Sequence, residues 1–182
     1  TVWAIQKQLK SGEFEPEGVE VVFQGGRIDR VDTMETDDGK LYVRVIDYKT
    51  GNTSFDLVSL YHGLQLQLMI YMDGALTVEQ NKHKDKDVIP AGVFYYNIKD
   101  PMIQEKIDAD IETVQEKVLK ELKMNGLVLK DKELVQKMDS SLVSIPVSFN
   151  KDGSFRKNSS VASKEQFDIL NRYVKTKISH IR

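Results

Sequence analysis

Residues 41–48 constrain the fold more than any other segment, because β-branched and aromatic side chains dominate them. Such side chains pack well on a pleated surface, so this composition predicts a β-strand. The preceding Asp37-Asp38-Gly39 is a hairpin turn signal, with another strand over residues 27–31 before it. Residues 19–23 predict one more strand, separated from the second by Gly25-Gly26 in a tight turn or bulge.

Three later segments have the spacing or the capping residues of helices. Asp56 can cap a helix that runs to about Leu76, with apolar residues three and four positions apart. A second helix is predicted over about 108–124, with Asn125-Gly126 as its stop. Ser163, with a glutamine three positions later, forms a capping box that begins the last helix.

The remaining segments complete an alternation of strands and helices. Residues 1–10 resemble the end of a helix, and the charged residues 81–87 predict a solvated loop. Residues 89–98 predict a strand, and residues 142–157 a late hairpin. This order predicts an α/β fold with a mixed sheet.

Composition excludes several classes of protein. The 182 residues contain no cysteine, which excludes disulfides, thiolate zinc sites and iron–sulfur clusters within them. No apolar run approaches the roughly eighteen residues that a membrane helix needs, so we expect a cytoplasmic protein with no membrane contact. The length predicts one domain over residues 1–182, and the missing initiator Met predicts a fragment of a larger protein.

Charge is unevenly distributed along the chain. The net charge is −2, yet residues 151–182 carry eight basic and three acidic residues, a local balance of +5. A basic end can bind phosphates by releasing counterions, but a surface helix rich in lysine is more often a solvated face. The sequence leaves both interpretations open.

Two aspartates and a lysine form the candidate chemical site. Asp47 and Lys49 are two apart in a strand and therefore project to one face, while Asp29 on the preceding strand can lie beside them. Two adjacent carboxylates repel each other, and Mg²⁺ suits such a pair because it prefers oxygen ligands. The main-chain carbonyl of Tyr48 is a further candidate ligand. Lys49 would orient a water or offset charge on phosphate oxygens.

The pattern acid-x-Lys has little specificity by itself. It occurs three times in the chain, at Asp38-Gly39-Lys40, Asp47-Tyr48-Lys49 and Glu121-Leu122-Lys123. Only the second lies at the end of an apolar strand with an aspartate on the strand before it. Even there, an ion pair at the edge of a strand explains the pattern equally well.

Glutamines in the following helix favour the chemical interpretation. Gln67 and Tyr71 are four apart and share one helical face, so both can point at the strand that carries Lys49. Gln65 faces elsewhere and is interpreted as a surface residue.

Several motifs in the sequence resemble those of a known family. Gly-x-Ile-Asp-x-x-Asp around Asp29, Ile-Asp-Tyr-Lys-Thr-Gly around Asp47 and Gln-Leu-x-x-Tyr from Gln67 to Tyr71 resemble the RecB-type branch of the PD-(D/E)XK nuclease superfamily. Residues 90–96, followed by Asp-Pro-Met-Ile at 100–103, are similar more narrowly to the AddB family, subunits of bacterial helicase–nucleases that resect double-strand breaks. The resemblance runs from about residue 14 to the end.

This resemblance implies a restriction-endonuclease-like fold, a mixed central sheet flanked by helices, and a magnesium-dependent deoxyribonuclease. Asp29 and Asp47 would hold Mg²⁺, Lys49 would be catalytic, and Gln67 and Tyr71 would support the site or the DNA. The implied partners are DNA and an AddA-like helicase–nuclease subunit. The chain lacks a Gly-x-x-x-x-Gly-Lys-Ser/Thr loop, so an ATP-driven motor must lie elsewhere.

Two family features are absent from the sequence. RecB-type nucleases usually carry a histidine upstream of the first aspartate, and residues 1–28 contain none. AddB-type nuclease domains typically hold an iron–sulfur cluster, which could belong only to the full-length protein because this chain has no cysteine.

Two alternative functions remain. The first is a catalytically idle DNA-binding or scaffolding module, although a scaffold has no need of mutually repelling carboxylates. The second is a stand-alone endonuclease of the same superfamily, which the AddB-like segment disfavours.

Overall fold

A computed structural model describes residues 2–99, 101 and 110–181 of the chain. Within these residues strands and helices alternate as expected. The helices are α1 (Val2–Leu9), α2 (Leu57–Tyr61), α3 (Gln67–Lys82), α4 (Ile111–Glu121), α5 (Lys132–Met138) and α6 (Lys164–Ile181). The strands are β1 (Glu15–Phe23), β2 (Gly26–Glu35), β3 (Lys40–Lys49), β4 (Asp87–Asn97), β5 (Asn125–Leu129) and β6 (Val161–Ala162).

The six strands form one sheet in the order β1-β2-β3-β4-β5-β6. The first three are antiparallel neighbours joined by tight turns, as the hairpin signals predict. The connection through α2 and α3 returns the chain so that β4 runs parallel to β3. Because β5 pairs antiparallel with β4 and parallel with β6, the sheet is mixed. The predicted α/β fold with a mixed central sheet is confirmed.

Helices cover both faces of the sheet. The long helix α3 packs across strands β1 to β4 on one face, and Gly74 in α3 lies so close to Phe23 of β1 that a Cβ would stand 2.4 Å from the ring. On the other face, Gln8 of α1 accepts a hydrogen bond from the Tyr96 hydroxyl (2.6 Å) and donates one to the Leu119 carbonyl of α4 (2.9 Å). The central strands β3 and β4 are therefore buried on both sides.

The helix predicted from Asp56 to about Leu76 is two helices. Asp56 caps α2 as predicted, because its carboxylate accepts from the main-chain N–H groups of Val58 and Ser59. Gly63 then takes a positive φ of +79°, and the N–H groups of Gly63 and Leu64 donate back to the last turn of α2. This C-terminal motif ends the helix. Helix α3 instead runs on to Lys82, into the predicted loop.

The predictions for the second half of the chain need more correction. Asn125-Gly126 begins β5 and does not stop a helix; α4 ends earlier, at Glu121. Helix α5 has no counterpart among the predicted elements. The late hairpin is reduced to one bridge between Phe149 and Phe155. Residues 108 and 109 of the predicted helix lie outside the described residues.

The last helix begins as predicted. The N–H of Ser163 donates to the side-chain oxygen of Gln166 (2.8 Å), and the N–H of Gln166 donates to the Ser163 hydroxyl (3.3 Å). These reciprocal hydrogen bonds form the capping box that precedes α6.

Candidate active site

The register of β2 against β3 brings the two predicted aspartates together. Arg30 pairs with Ile46, and one further step along both strands leads to Asp29 and Asp47. Facing residues of an antiparallel pair project to the same side. Asp29 Oδ2 also accepts the main-chain N–H of Tyr48 (2.9 Å), so its carboxylate is held against the end of β3.

Asp47 is a buried carboxylate, 2% exposed. Burial raises its pKa, the Lys49 ammonium opposes that rise, and the charge of Asp29 adds to it. Lys49 Nζ lies 2.6 Å from Asp47 Oδ2, yet that buried oxygen receives no hydrogen bond of good geometry from the described residues. Because the net shift of the pKa is upward, burial outweighs the attraction of Lys49. The ionised carboxylate therefore lacks sufficient compensation from the protein alone.

A chain of side-chain hydrogen bonds holds Lys49. Its ammonium donates to the Gln67 side-chain oxygen (2.9 Å), and the Gln67 amide donates to the Tyr71 hydroxyl (2.7 Å). Gln67 is the first residue of α3, and Tyr71 lies one turn later on the same helical face. The Tyr71 ring in turn meets Phe23 edge-on, with centroids 6.0 Å apart. The predicted residue Gln67 thus contacts both Lys49 and Tyr71.

Tyr95 also lies at this site, although the sequence indicates it only as part of the AddB-like segment 90–96. The parallel register pairs Tyr95 of β4 with Asp47 of β3, and Lys49 Nζ lies 5.6 Å from the centre of the Tyr95 ring. Burial, then the charge of Asp47 and the nearby Tyr71, raises the pKa of Tyr95 to about 12. The hydroxyl is therefore protonated at neutral pH. Apart from that resemblance, the sequence shows only an aromatic residue in an apolar strand.

The segment between β3 and α2 is fixed beside the site by amide side chains. The side-chain oxygen of Gln65 accepts the Asp56 N–H (2.9 Å), and its amide donates to the Ser54 carbonyl (2.8 Å). Asn97 makes a similar pair of hydrogen bonds with the main chain of Thr53 (3.1 and 2.9 Å). Gln65 is therefore a partly exposed residue, as predicted, whose side chain also holds the segment before α2 in place.

The second aspartate of the Gly-x-Ile-Asp-x-x-Asp motif is not part of this site. Asp32 projects to the opposite face of the sheet, where it is buried with Arg44, 0% and 1% exposed. Arg44 Nε donates to Asp32 at 3.0 Å and Arg30 Nε at 2.6 Å. Burial lowers the pKa of Arg44, and Asp32 opposes that change. This cluster holds the strands together.

The donor atoms at the site fit a hard divalent cation. Among the residues that the structure describes, no group of three or more histidine, cysteine, aspartate or glutamate side chains could hold a metal. Mg²⁺, however, is commonly held by one or two carboxylates, with water and substrate phosphate as its other ligands. Asp29 and Asp47 supply that number, and the buried Asp47 Oδ2 retains lone pairs free of hydrogen bonds. The Tyr48 carbonyl as a ligand stays a prediction.

Comparisons with known proteins support the assignment that the motifs predict. A family model for the PD-(D/E)XK nuclease superfamily matches residues 1–182. The chain belongs to this superfamily. The resemblance inferred from the motifs around Asp29, Asp47 and Gln67 is thereby confirmed at the level of the family.

Individual relatives in this superfamily carry a more specific name. The chain is 39% identical over 204 residues to the AddB-type subunit of an ATP-dependent helicase/deoxyribonuclease from Thermoanaerobacter sp. (strain X514), covering 99% of this chain and 18% of the relative. Proteins of the same name from Lachnoclostridium phytofermentans (42% over 196 residues, 96% and 17% covered) and Clostridioides difficile (40% over 205 residues, 97% and 18% covered) are also similar. The chain spans less than a fifth of the length of these curated relatives.

None of the described helices is long and apolar enough to cross a membrane.

Proposed function

We propose that this PD-(D/E)XK domain is a magnesium-dependent deoxyribonuclease that hydrolyses phosphodiester bonds. One observation carries the proposal: the buried Asp47 carboxylate lies beside Asp29, with Lys49 held next to it by Gln67. Burying a carboxylate beside another one is costly unless a cation joins them. A fold that keeps this arrangement at the ends of two strands is suited to hold one.

Asp29 and Asp47 would hold the ion, with the Tyr48 carbonyl as a further candidate. When bound, Mg²⁺ would polarise the scissile phosphate and lower the pKa of a coordinated water. Lys49 would act on the substrate itself, whereas Gln67 and Tyr71 act through Lys49. Lys49 places a positive charge where negative charge develops on the phosphate oxygens, and Gln67 and Tyr71 fix the position of that charge.

Lys49 is positioned rather than free. Its ammonium contacts Asp47 and Gln67, and the Tyr95 ring lies 5.6 Å away. Such contacts on several sides restrict the rotamers of a long side chain before substrate arrives. The ion pair with the buried Asp47 and the hydrogen bond to Gln67 together fix the position of the ammonium.

The names of the relatives extend the proposal to a larger assembly. We infer that the domain acts within an AddAB-type helicase–nuclease during resection and repair of double-strand breaks, with an AddA-like subunit as its partner. The similarity of about 40% to proteins named as subunits of an ATP-dependent helicase/deoxyribonuclease supports this inference. DNA strands separated by the motor would then reach the site at Asp47.

A digestion assay tests the activity. End-labelled single-stranded and double-stranded DNA is incubated with the chain in Mg²⁺ or in EDTA. We expect cleavage only with Mg²⁺ and none by Asp47→Asn, whereas Glu133→Gln, which removes an exposed carboxylate on α5, should cut like the parent. Equal cutting by Asp47→Asn and the parent would refute the assignment. A parent that cuts neither substrate in Mg²⁺ would favour the scaffold alternative.

A further inference from the structure

An exposed aromatic cluster lies at the end of α2, six positions before Gln67 of the candidate active site. We call Tyr61, Tyr173 and Lys177 the aromatic shelf. The rings of Tyr61 and Tyr173 stack with centroids 5.7 Å apart and an interplanar angle of 7°. Lys177 Nζ lies 6.0 Å and 5.4 Å from the two centroids. Tyr61 is nevertheless 62% exposed, so much of its ring remains accessible to a ligand.

The shelf lies on α2 and α6, and α6 is attached to α3, the helix that carries Gln67 and Tyr71. The Tyr173 hydroxyl on α6 donates to the Tyr61 main-chain carbonyl at the end of α2. Helix α6 is tied to α3 through Asp73, which accepts from Asn171 (2.9 Å) and pairs with Lys175 (2.7 Å). These contacts fix the shelf to the helix that begins with Gln67.

The shelf is also close to the site along the chain. Tyr61 and Gln67 are six positions apart, and six residues span at most about 20 Å even when extended. That distance corresponds to about six nucleotides at the stacking repeat of a DNA strand. One short strand can therefore contact the shelf and Lys49 together.

Charge around the shelf favours an anionic ligand. Neither Lys177 nor Arg172 pairs with a carboxylate within the described part of the chain, and Arg172 donates only to a main-chain carbonyl of its own helix. Asp56, the acidic residue that precedes α2, is occupied in capping that helix. Along the sequence, the acidic residue nearest to Arg172 and Lys177 is Asp168 on α6.

A ligand for this surface needs flat apolar groups as well as negative charge. Unpaired bases stack on tyrosine rings while phosphates contact lysine and arginine, and this combination recurs in proteins that bind single strands without sequence preference. Duplex DNA offers no free base faces for stacking. A protein partner would cover the exposed Leu57 and Val58 of α2, but it would not explain why Lys177 and Arg172 have no carboxylate partner among the described residues.

We infer that the aromatic shelf binds single-stranded DNA and leads it to the active site. This inference rests on the proposed function, because it names the form of DNA that the nuclease receives. One base stacks on Tyr61, the neighbouring phosphate contacts Lys177, and Tyr173 supports the Tyr61 ring from the other side. Arg172 on the same helix extends the track for the sugar–phosphate backbone.

Binding without cleavage provides the test. The dissociation constant (Kd) of a labelled 15-nucleotide oligothymidine is measured in EDTA by fluorescence anisotropy. Tyr61→Leu should raise the Kd by about 5- to 150-fold, the range for losing one stacked base, whereas Tyr61→Phe should stay within about twofold. Lys177→Gln should weaken binding and reduce the salt slope by about 0.7. Melting temperatures verify that each variant is folded.

A matched control is available on the other face of the sheet. Trp3 is also an exposed ring with a lysine above it, Lys7 at 5.4 Å, so Trp3→Leu should leave the Kd unchanged. Unchanged binding by folded Tyr61→Leu overturns the inference and leaves the shelf as a protein contact. A parent that binds through Tyr61 but never cuts with Mg²⁺ keeps the inference while the proposed activity fails.

Discussion

Replacing Asp47 with asparagine removes one of two neighbouring carboxylates and nearly preserves the shape of the side chain. The pKa of Asp47 is raised mainly by burial, despite the opposing effect of Lys49. The ionised form is therefore less favourable in the folded chain than in the unfolded chain. Without a metal, Asp47→Asn should be as stable as the parent or more stable at neutral pH.

The raised pKa of Asp47 also determines whether the free energy of unfolding rises or falls with pH. Between the ordinary value of 3.8 and the raised folded value, the folded state binds more protons at Asp47 than the unfolded state. The contribution of Asp47 to the free energy of unfolding therefore falls as pH rises through that window. Melting temperatures in EDTA, compared pairwise from about pH 4 to 8, should show the advantage of Asp47→Asn growing with pH and then levelling.

Mg²⁺ should reverse the order of stability, so that the parent becomes more stable than Asp47→Asn. At free Mg²⁺ about ten times its Kd, the parent should gain about 1.4 kcal/mol, which corresponds to about 3–6 °C in the melting temperature of a domain this size. If Asp47→Asn weakens binding about tenfold, its gain at the same concentration is only about 0.4 kcal/mol, or about 1 °C.

Differential scanning fluorimetry over a range of Mg²⁺ concentrations measures both responses, with Glu133→Gln as the control for weak binding to exposed carboxylates. A full Mg²⁺ response in Asp47→Asn would show that Asp47 is not a ligand. A loss of more than about 1 kcal/mol in EDTA would show that the Lys49 contact outweighs burial, against the reasoning from the pKa.

Three further changes test other parts of the structure. Lys49→Ala should keep the Mg²⁺ shift in melting temperature and lose about 10²- to 10³-fold in kcat, because its charge acts on the transition state; loss of both would instead make it a structural residue. Tyr95→Leu should lower kcat about 2- to 30-fold by removing the ring beside Lys49, whereas Tyr95→Phe, measured in parallel, should not. Gly126→Ala should lower the melting temperature by about 4–8 °C in a thermal melt, because its Cβ would stand 1.9 Å from the Val93 carbonyl oxygen. An unchanged melting temperature would contradict the close packing of β4 and β5.

Local signals explain which elements were predictable. Strands β2 and β3 combine β-branched composition with an Asp-Asp-Gly turn, so propensity and turn chemistry agree there. Strand β5 has only five residues and begins with Asn125-Gly126, a pair that also ends helices. The two-residue β6 and seven-residue α5 are too short for periodicity to show. The end of α2 at Gly63 did have a signal, because glycine readily adopts the positive φ found there.

Some residues of the candidate site were likewise predictable from local sequence signals, and one was not. Asp47 with Lys49, and Gln67 with Tyr71, are related by the two-residue period of a strand and the four-residue spacing of a helix, so each pair was predictable. Tyr95 was not, because its neighbour Asp47 lies on a parallel strand reached through two helices. The register of such a crossover depends on how the helices pack against the sheet.

Neither the two-residue period of a strand nor the four-residue spacing of a helix explains why Asp29 faces Asp47. The buried cluster on the other face of the sheet explains this alignment. Asp32 pairs directly with Arg44 in the ladder, and their side chains bond in the core. A slip of one residue would reverse the faces of β2, turning Asp29 away from Asp47. It would also leave the Arg44 charge buried without its partner, which typically costs about 3–5 kcal/mol. The ion pair between Asp32 and Arg44 therefore selects the register in which the two site carboxylates meet.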